Sequence, residues 1–418
     1  ERRDALNAPR AQVRGVKQEV MTRHMRADEA VRIKYDSKFA QSANYWKNSI
    51  GMNKCIDSIG LIAQKQHYED IIRHWQDSTG YLKGQLDFDK MARLYNERFE
   101  PRKAAMYFQE TFLRTNELTT RAMKAVTGTT KKDKKGDYVT FADNSNTWDA
   151  SLDKDVQAVL LKNYREHVDA KYLPAFYQII DKKFGGDYQK YVNYLWETSA
   201  LMKKDAKVYV TKKAIKKDAG LQYGAQLKAM REVFNRALDA TRDSIDNQEQ
   251  MLCAAKLRME EDLPHYSDAN FTMRLSYGQV GGFDLGGRPS GYYTTAESIV
   301  EKMKRGDNGL FDYKADPVMQ QLMSEKSFGK YQDKTTGKMQ LCFLTNNDIT
   351  GGNSGSPMFN GKGELIGLAF DGNWDSLSSD LNFDNRLARC IGVDIRYVLY
   401  MIDKWGHADH LIKEIGAK

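Results

Sequence analysis

The sequence is short of cysteine. Its four, Cys55, Cys253, Cys342 and Cys390, lie far apart and form no CxxC pair, which excludes the usual zinc-finger spacings and leaves open buried thiols or a disulfide pair. Histidine is nearly as scarce, at seven residues. No histidine and cysteine stand at ligand spacing, so neither a metal nor a cofactor is expected. Apolar runs of about 18 residues are missing, and no membrane-spanning helix is expected. Proline is almost absent from residues 1–263, which hold only Pro9, Pro101 and Pro174; few breakers over such a length leave room for long helices. The chain opens with neither an initiator methionine nor a signal-peptide pattern. Its first residues, Glu-Arg-Arg, already read as helix, and the expectation is a chain that starts inside a larger protein.

What is present divides into two patterns. The net charge of +8 is uneven: residues 264–418 sum to −2 and residues 1–263 to +10. A basic region invites a nucleic-acid reading. Here, however, the lysines interleave with acids, as in DKDVQ and KKDKKGD, so a solvated helical surface and no nucleic-acid partner are expected. Apolar residues in this part recur at helical intervals. Val156, Val159, Leu160 and Tyr164 fall on one face, as do Leu227, Met230, Phe234 and Leu238. Gly185-Gly186 interrupts the pattern, and KKDKKGD at 131–137 reads as an exposed loop. The part as a whole reads as a bundle of long helices.

Near Pro264 the pattern changes. FTMRLSYGQV (271–280) alternates like a strand, and MQLCFL (339–344) is a second candidate. PMFNGKGELIGLAF (357–370) reads as a hairpin with glycines at its turn. ARCIGVDIRYVLYMI (388–402) reads as a strand running towards a terminal helix. The fold class expected is α+β: a helical domain over 1–263, then an antiparallel β-barrel portion over 264–418.

Between the second strand and the hairpin lies NDITGGNSGSP, with Ser354 among Gly351, Gly352 and Gly355. Such glycines allow a tight turn and close approach of a substrate. A serine that attacks a carbonyl needs fixed donors about 3 Å from the resulting oxyanion, and the backbone amides of Gly352 and Ser354 are placed to supply them. A plain glycine-serine turn is the bland alternative. The preceding strand, the Ser-Pro and the immediate hairpin favour a nucleophile. A serine hydroxyl also needs a base to take its proton. None of His24, His67, His74, His167, His265, His407 and His410 sits in a strand-flanked context.

The loop, together with YDSKFAQSANYWKNSIGMNK (35–54), DANFTMRLSYGQV (268–280), GLAFDGNW and RCIGVDIRYVLYMIDK (389–404), resembles the bacterial dipeptidyl-peptidase 7 and dipeptidyl-peptidase 11 family. The resemblance covers nearly the whole chain. It implies a chymotrypsin-like double β-barrel whose active site is capped by a helical domain, with the catalytic histidine and aspartate before the helical domain. This chain is then expected to be the C-terminal part of a protein of roughly 700 residues, inactive alone. A periplasmic or cell-surface location and, as one possibility, a homodimer go with the resemblance.

A dipeptidyl-peptidase reads the free amino terminus of an oligopeptide, and an ammonium calls for a carboxylate and carbonyl-type acceptors. Asp371, directly after the strand ELIGLAF, is placed to supply the charge, and the resemblance implies that role. Asn44 and Asn48 stand one helical turn apart; in the family an asparagine of this region contacts the same ammonium, and both remain candidates. Gly372 occupies the position where the acidic-specific relatives carry arginine. The resemblance therefore implies an open, uncharged pocket and a hydrophobic penultimate residue. A basic nucleic-acid-binding bundle and a non-catalytic scaffold are the competing readings.

Overall fold

The computed structural model describes the chain except residues 114, 143–144, 205, 264, 266–271, 285, 308–314, 326 and 418, and the backbone alone of residues 306–307. Two compact units result, Glu1–Tyr266 and Ser267–Lys418.

The first unit is built on α1 (Ala8–Ala27), α2 (Glu29–Ser58), α3 (Leu61–Thr79), α4 (Phe88–Phe112), α5 (Glu117–Thr127), α6 (Ala150–His167), α7 (Phe176–Phe184), α8 (Tyr188–Thr198), α9 (Lys212–Lys217) and α10 (Ala219–Met259). Aspartate is the recurrent start signal. Asp28, Asp87, Asp149, Asp187 and Asp218 each accept a backbone N–H at the head of α2, α4, α6, α8 and α10, which typically stabilises a helix by about 1 kcal/mol. Gly185 ends α7 in the left-handed conformation, with φ of 62°, where a side chain would be strained. The expected faces are the buried ones: Val156, Leu160 and Tyr164 of α6 and Leu227, Met230 and Phe234 of α10 enter one core. Aromatic edges lock it, as where Phe112 meets Tyr164 at 4.9 Å between ring centroids and 68° between planes.

KKDKKGD is not a loop. Lys131–Asp133 (β1) and Gly136–Val139 (β2) form a hairpin, and Val208–Tyr209 (β3) joins it in the order β1-β2-β3. The cause is on its inner side: Val139 pairs with Val208, and both are buried. A two-residue apolar anchor was hidden among lysines.

Among the described residues of this unit, Asp153 is a deeply buried carboxylate. Asp153 of α6 accepts the Tyr35 hydroxyl at 2.6 Å and the Glu117 N–H at 2.8 Å, linking α6 to α2 and to the head of α5. Burial pushes its pKa up to about 6, against the opposing pull of those two donors. The folded protein therefore holds this proton more tightly than the unfolded chain does. The stability that protonation contributes is present at low pH and is lost as pH rises from about 4 through about 6. Asp153→Asn should remove about 3 kcal/mol of that pH dependence. Urea midpoints for parent and variant at about pH 4 and about pH 8 should differ in slope; parallel profiles would show that Asp153 does not titrate this way.

The second unit carries an antiparallel sheet of Tyr293–Thr295 (β4), Gln340–Thr345 (β5), Pro357–Phe359 (β6), Leu365–Gly372 (β7) and Cys390–Asp394 (β8), in the order β4-β5-β8-β7-β6. The expected second strand, hairpin and strand-to-helix passage are β5, β6–β7, and β8 running into α13 (Ile395–Tyr400). β4 and β6 are open edges, so no closed barrel forms among the described residues. Nor is the unit mainly β. Helices α11 (Ala296–Asp307), α12 (Pro317–Met323), α13 and α14 (Asp409–Glu414) accompany the sheet, and Met303, Met323 and Tyr400 pack against Leu341 of β5. The first expected strand also fails. Phe271 lies outside the described residues, and 272–279 forms no strand; Val280 makes an isolated bridge to Thr345. The four cysteines are all free thiols.

Candidate active site

Ser354 sits in the loop between β5 and β6, and the sequence of that loop dictates its shape. Gly352 and Gly355 have φ of 102° and 86°, a region that L side chains avoid. Asn353 closes the turn from both ends: its side-chain Oδ1 accepts the Thr350 N–H at 3.0 Å, and its own N–H donates to the Thr350 carbonyl at 3.2 Å. Beyond the serine the loop joins the sheet. The Gly355 N–H donates to Ala369 O at 2.7 Å, and the Ala369 N–H donates to Ser356 O at 2.9 Å. The loop is thus pinned along β7.

Asn353, Gly355 and Ser356 each donate a backbone hydrogen bond. Several amides of this loop donate to no backbone carbonyl among the described residues, those of Gly351, Gly352 and Ser354 among them. The Gly352 and Ser354 amides, the second the serine's own, stand at exposed positions two residues apart, and an oxyanion requires a pair of fixed donors. The Ser354 hydroxyl is exposed and donates to Phe370 O at 3.2 Å. No histidine is hydrogen-bonded to it among the described residues. His24, the histidine that pairs with an aspartate, does so with Asp155 at 2.9 Å, both residues lying in the first unit.

A β-bulge decides where the neighbouring carboxylate points. Ala369 pairs with Gly392, but Asp371 pairs with Ile391, so Phe370 is the extra residue. Without it Asp371 would stand opposite Cys390, which is buried. With it Asp371 turns to solvent, one residue from the carbonyl that holds the serine. Re-aiming a side chain is a common use of a bulge. The Asp371 Oδ1 accepts the Gly372 N–H at 2.8 Å. Phe370, just before it, and Trp374, three residues after it, are exposed aromatics, Trp374 by 71%.

Gly372 differs from expectation. The same bulge sets it opposite Cys390, and a Cβ added there would lie 2.1 Å from the Ser376 Oγ and 3.2 Å from its Cβ. The space beside the glycine is not open; Ser376 fills it, with its hydroxyl donating to Asn373 O at 2.7 Å. Asn44 and Asn48 lie on α2 in the first unit. Asn44 is exposed and Asn48 half-buried, and neither side chain has a hydrogen-bond partner among the described residues.

Sequence reasoning missed the supports of this site. Asn373 ties the end of β7 to the start of β8: its Oδ1 accepts the Arg389 N–H at 2.8 Å and its Nδ2 donates to Leu387 O at 2.8 Å. Arg389 spends its guanidinium on the carbonyls of Gly282, Asn385 and Ala388, so it is a brace and not a free cation. Asn373 follows the quoted FDG directly, and an asparagine just past a strand is a recognisable turn signal. Nothing local marks Arg389.

A serine in a glycine turn, pinned to an antiparallel sheet, has the local form that the nucleophile loop of a serine-type peptidase needs. The chain belongs to the Peptidase S46 family, whose pattern matches residues 1–417. It is 38% identical over 435 aligned residues to dipeptidyl-peptidase 7 of Porphyromonas endodontalis, covering 98% of this chain and 51% of that protein. It is 30% identical over 427 to the Asp/Glu-specific dipeptidyl-peptidase of Porphyromonas gingivalis, covering 98% and 58%. The chain thus spans between half and three fifths of these relatives. The fold matches the crystal structure of Porphyromonas endodontalis DPP11 in complex with substrate, with a TM-score of 0.81, 24% identity, and coverage of 99% of this chain and 60% of that one.

Proposed function

We propose that this chain carries the nucleophile and amino-terminus-reading parts of a serine dipeptidyl-peptidase, and that the general base and its aspartate come from residues outside it. The observation that carries the proposal is the Ser354 loop, with its exposed hydroxyl and the undonated amides of Gly352 and Ser354. In this reading Ser354 attacks the carbonyl of the second residue of an oligopeptide, and the Gly352 and Ser354 N–H groups hold the oxyanion. Asp371 binds the substrate ammonium. The sheet is a portion of a chymotrypsin-like barrel whose remaining strands lie elsewhere in the protein. Phe370 and Trp374 support a hydrophobic penultimate residue, because exposed aromatics beside the anchoring carboxylate bury apolar side chains favourably.

The test uses the longer protein that contains this chain, assayed with chromogenic dipeptides ending in Leu or Phe. Release from free-amine substrates and none from amino-blocked ones is expected. Asp371→Asn should lower kcat/KM on the free-amine substrates by roughly 10- to 100-fold, the worth of a charge-assisted hydrogen bond. The chain by itself should show no Ser354-dependent turnover. Equal cleavage of blocked and free substrates would remove the ammonium site from the reading.

A further inference from the structure

Two stretches distant in sequence hold an unusual density of one cation. Residues 128–137 and 203–218 together contain eleven lysines, four aspartates and no arginine. The fold brings them side by side in the first unit. β3 pairs with β2, the Val210 N–H donates to Asp137 O at 2.8 Å, and a Cβ on Gly136, at the hairpin turn, would stand 3.0 Å from Thr211, which caps α9.

The lysines point outward. Lys131, Lys132, Lys134 and Lys135 of the hairpin are exposed, as are Lys212, Lys213, Lys216 and Lys217 of α9. Ala214 and Ile215 of α9 pack against the helical core instead. Two of the acids are already spent. Asp133 is paired with Lys207 and accepts the Tyr209 hydroxyl, and Asp218 caps α10 and holds Ser199 and the Ala200 N–H. The result is one strongly positive face assembled from both stretches.

The chemistry of the face selects its partner. Without arginine it lacks the bidentate fork that reads single phosphates or base edges. Its two tyrosine rings are no stacking platform, because the Lys207 ammonium sits 3.8 Å from the Tyr138 ring centroid and 5.5 Å from that of Tyr209. Neither stretch exposes a large apolar side chain among the described residues, so nothing here would insert into hydrocarbon. Many mobile point charges with no anchor and no reader suit a diffuse layer of negative charge. We propose that this face adsorbs the protein electrostatically onto an anionic lipid bilayer, at the headgroup layer and without penetration.

The experiment is cosedimentation of the full chain with vesicles of phosphatidylglycerol and phosphatidylcholine, against vesicles of phosphatidylcholine alone. Binding to the anionic vesicles only, falling steeply as sodium chloride is raised, is expected. Each lysine near such a surface is worth about five-fold in partition. Changing Lys212→Gln, Lys213→Gln, Lys216→Gln and Lys217→Gln together should therefore cost about 100-fold or more. The equivalent change at Lys131, Lys132, Lys134 and Lys135 should cost a similar amount, and it guards against misfolding of α9. A control with Lys54→Gln, Lys65→Gln, Lys90→Gln and Lys228→Gln, all exposed positions elsewhere in this unit, should bind like the parent. Circular dichroism reads the fold of each variant. Equal binding to neutral vesicles, or an equal loss in the control, would overturn the proposal.

Discussion

Ser354→Ala, in the longer protein that contains this chain, should lower kcat for dipeptide release by about a million-fold, while substrate affinity changes little. Loss of the nucleophile of a serine peptidase costs that much, and the residue of activity comes from the oxyanion donors and binding alone. The structure makes the variant a clean one. Ser354 is exposed and its hydroxyl makes one hydrogen bond, to Phe370 O. Losing that bond at the surface should cost stability only about 0.5–1.5 kcal/mol. The turn itself is held by Asn353 and by the Gly355 and Ser356 backbone, none of which the substitution touches. Unaltered folding with activity within about ten-fold of the parent would take Ser354 out of the chemistry.

The second large effect concerns Gly372. Arginine there should not simply convert the enzyme to acidic substrates, because Ser376 occupies the space its Cβ needs. To admit it, the Ser376 hydroxyl must leave Asn373 O, and even the two Cβ atoms are tighter than ordinary contact. Gly372→Arg alone should therefore destabilise the β7 end and lower kcat/KM on Leu- and Phe-type dipeptides by roughly 10- to 100-fold, the worth of an apolar side chain's burial. Gly372→Arg combined with Ser376→Gly should recover stability. It should also raise the ratio of Asp/Glu-type to Leu/Phe-type efficiency by about 10-fold or more, since a guanidinium pairs with a carboxylate and is costly to bury beside an apolar side chain. The two ratios and the thermal midpoints of parent, single and double variants decide it. A double variant that is as stable as the parent yet unchanged in its ratio would show that position 372 does not meet the substrate.

The contrast between these two positions shows what the sequence could express. The turn at Ser354 was legible because glycines at positive φ leave a compositional mark, and because a hairpin with its own glycine turn follows at once. The orientation of Gly372 was not. The bulge at Phe370 inserts one residue into a strand whose pattern, Leu-Ile-Gly-Leu-Ala-Phe-Asp-Gly, runs on without a break. Only the pairing with β8 reveals that the face has switched. Long helices were readable from period and aspartate caps, whereas KKDKKGD hid a hairpin because the anchoring pair, Val139 and Val208, lies 69 positions apart in the chain. Stretch 272–280 failed in the opposite direction. Its alternation is that of a strand, but alternation states only which faces a segment would present, and a strand exists only where a partner supplies its hydrogen bonds.

That same stretch has a colloidal consequence. Met273, Leu275 and Tyr277 are bare to 99%, 90% and 90%, at every second position of a stretch tethered by the Ser276 hydroxyl to Asp348 O at 3.2 Å, the Gln279 N–H to Asn346 Oδ1 at 2.6 Å and the Gly281 N–H to Leu344 O at 3.0 Å. A run outside any sheet with exposed apolar side chains is a template on which another molecule can lay down a strand. Arg274, its one formal charge, is a weak gatekeeper over eight residues. In concentrated solution, molecules of this chain taken alone should associate through that run, and a Leu275→Lys change should raise their solubility.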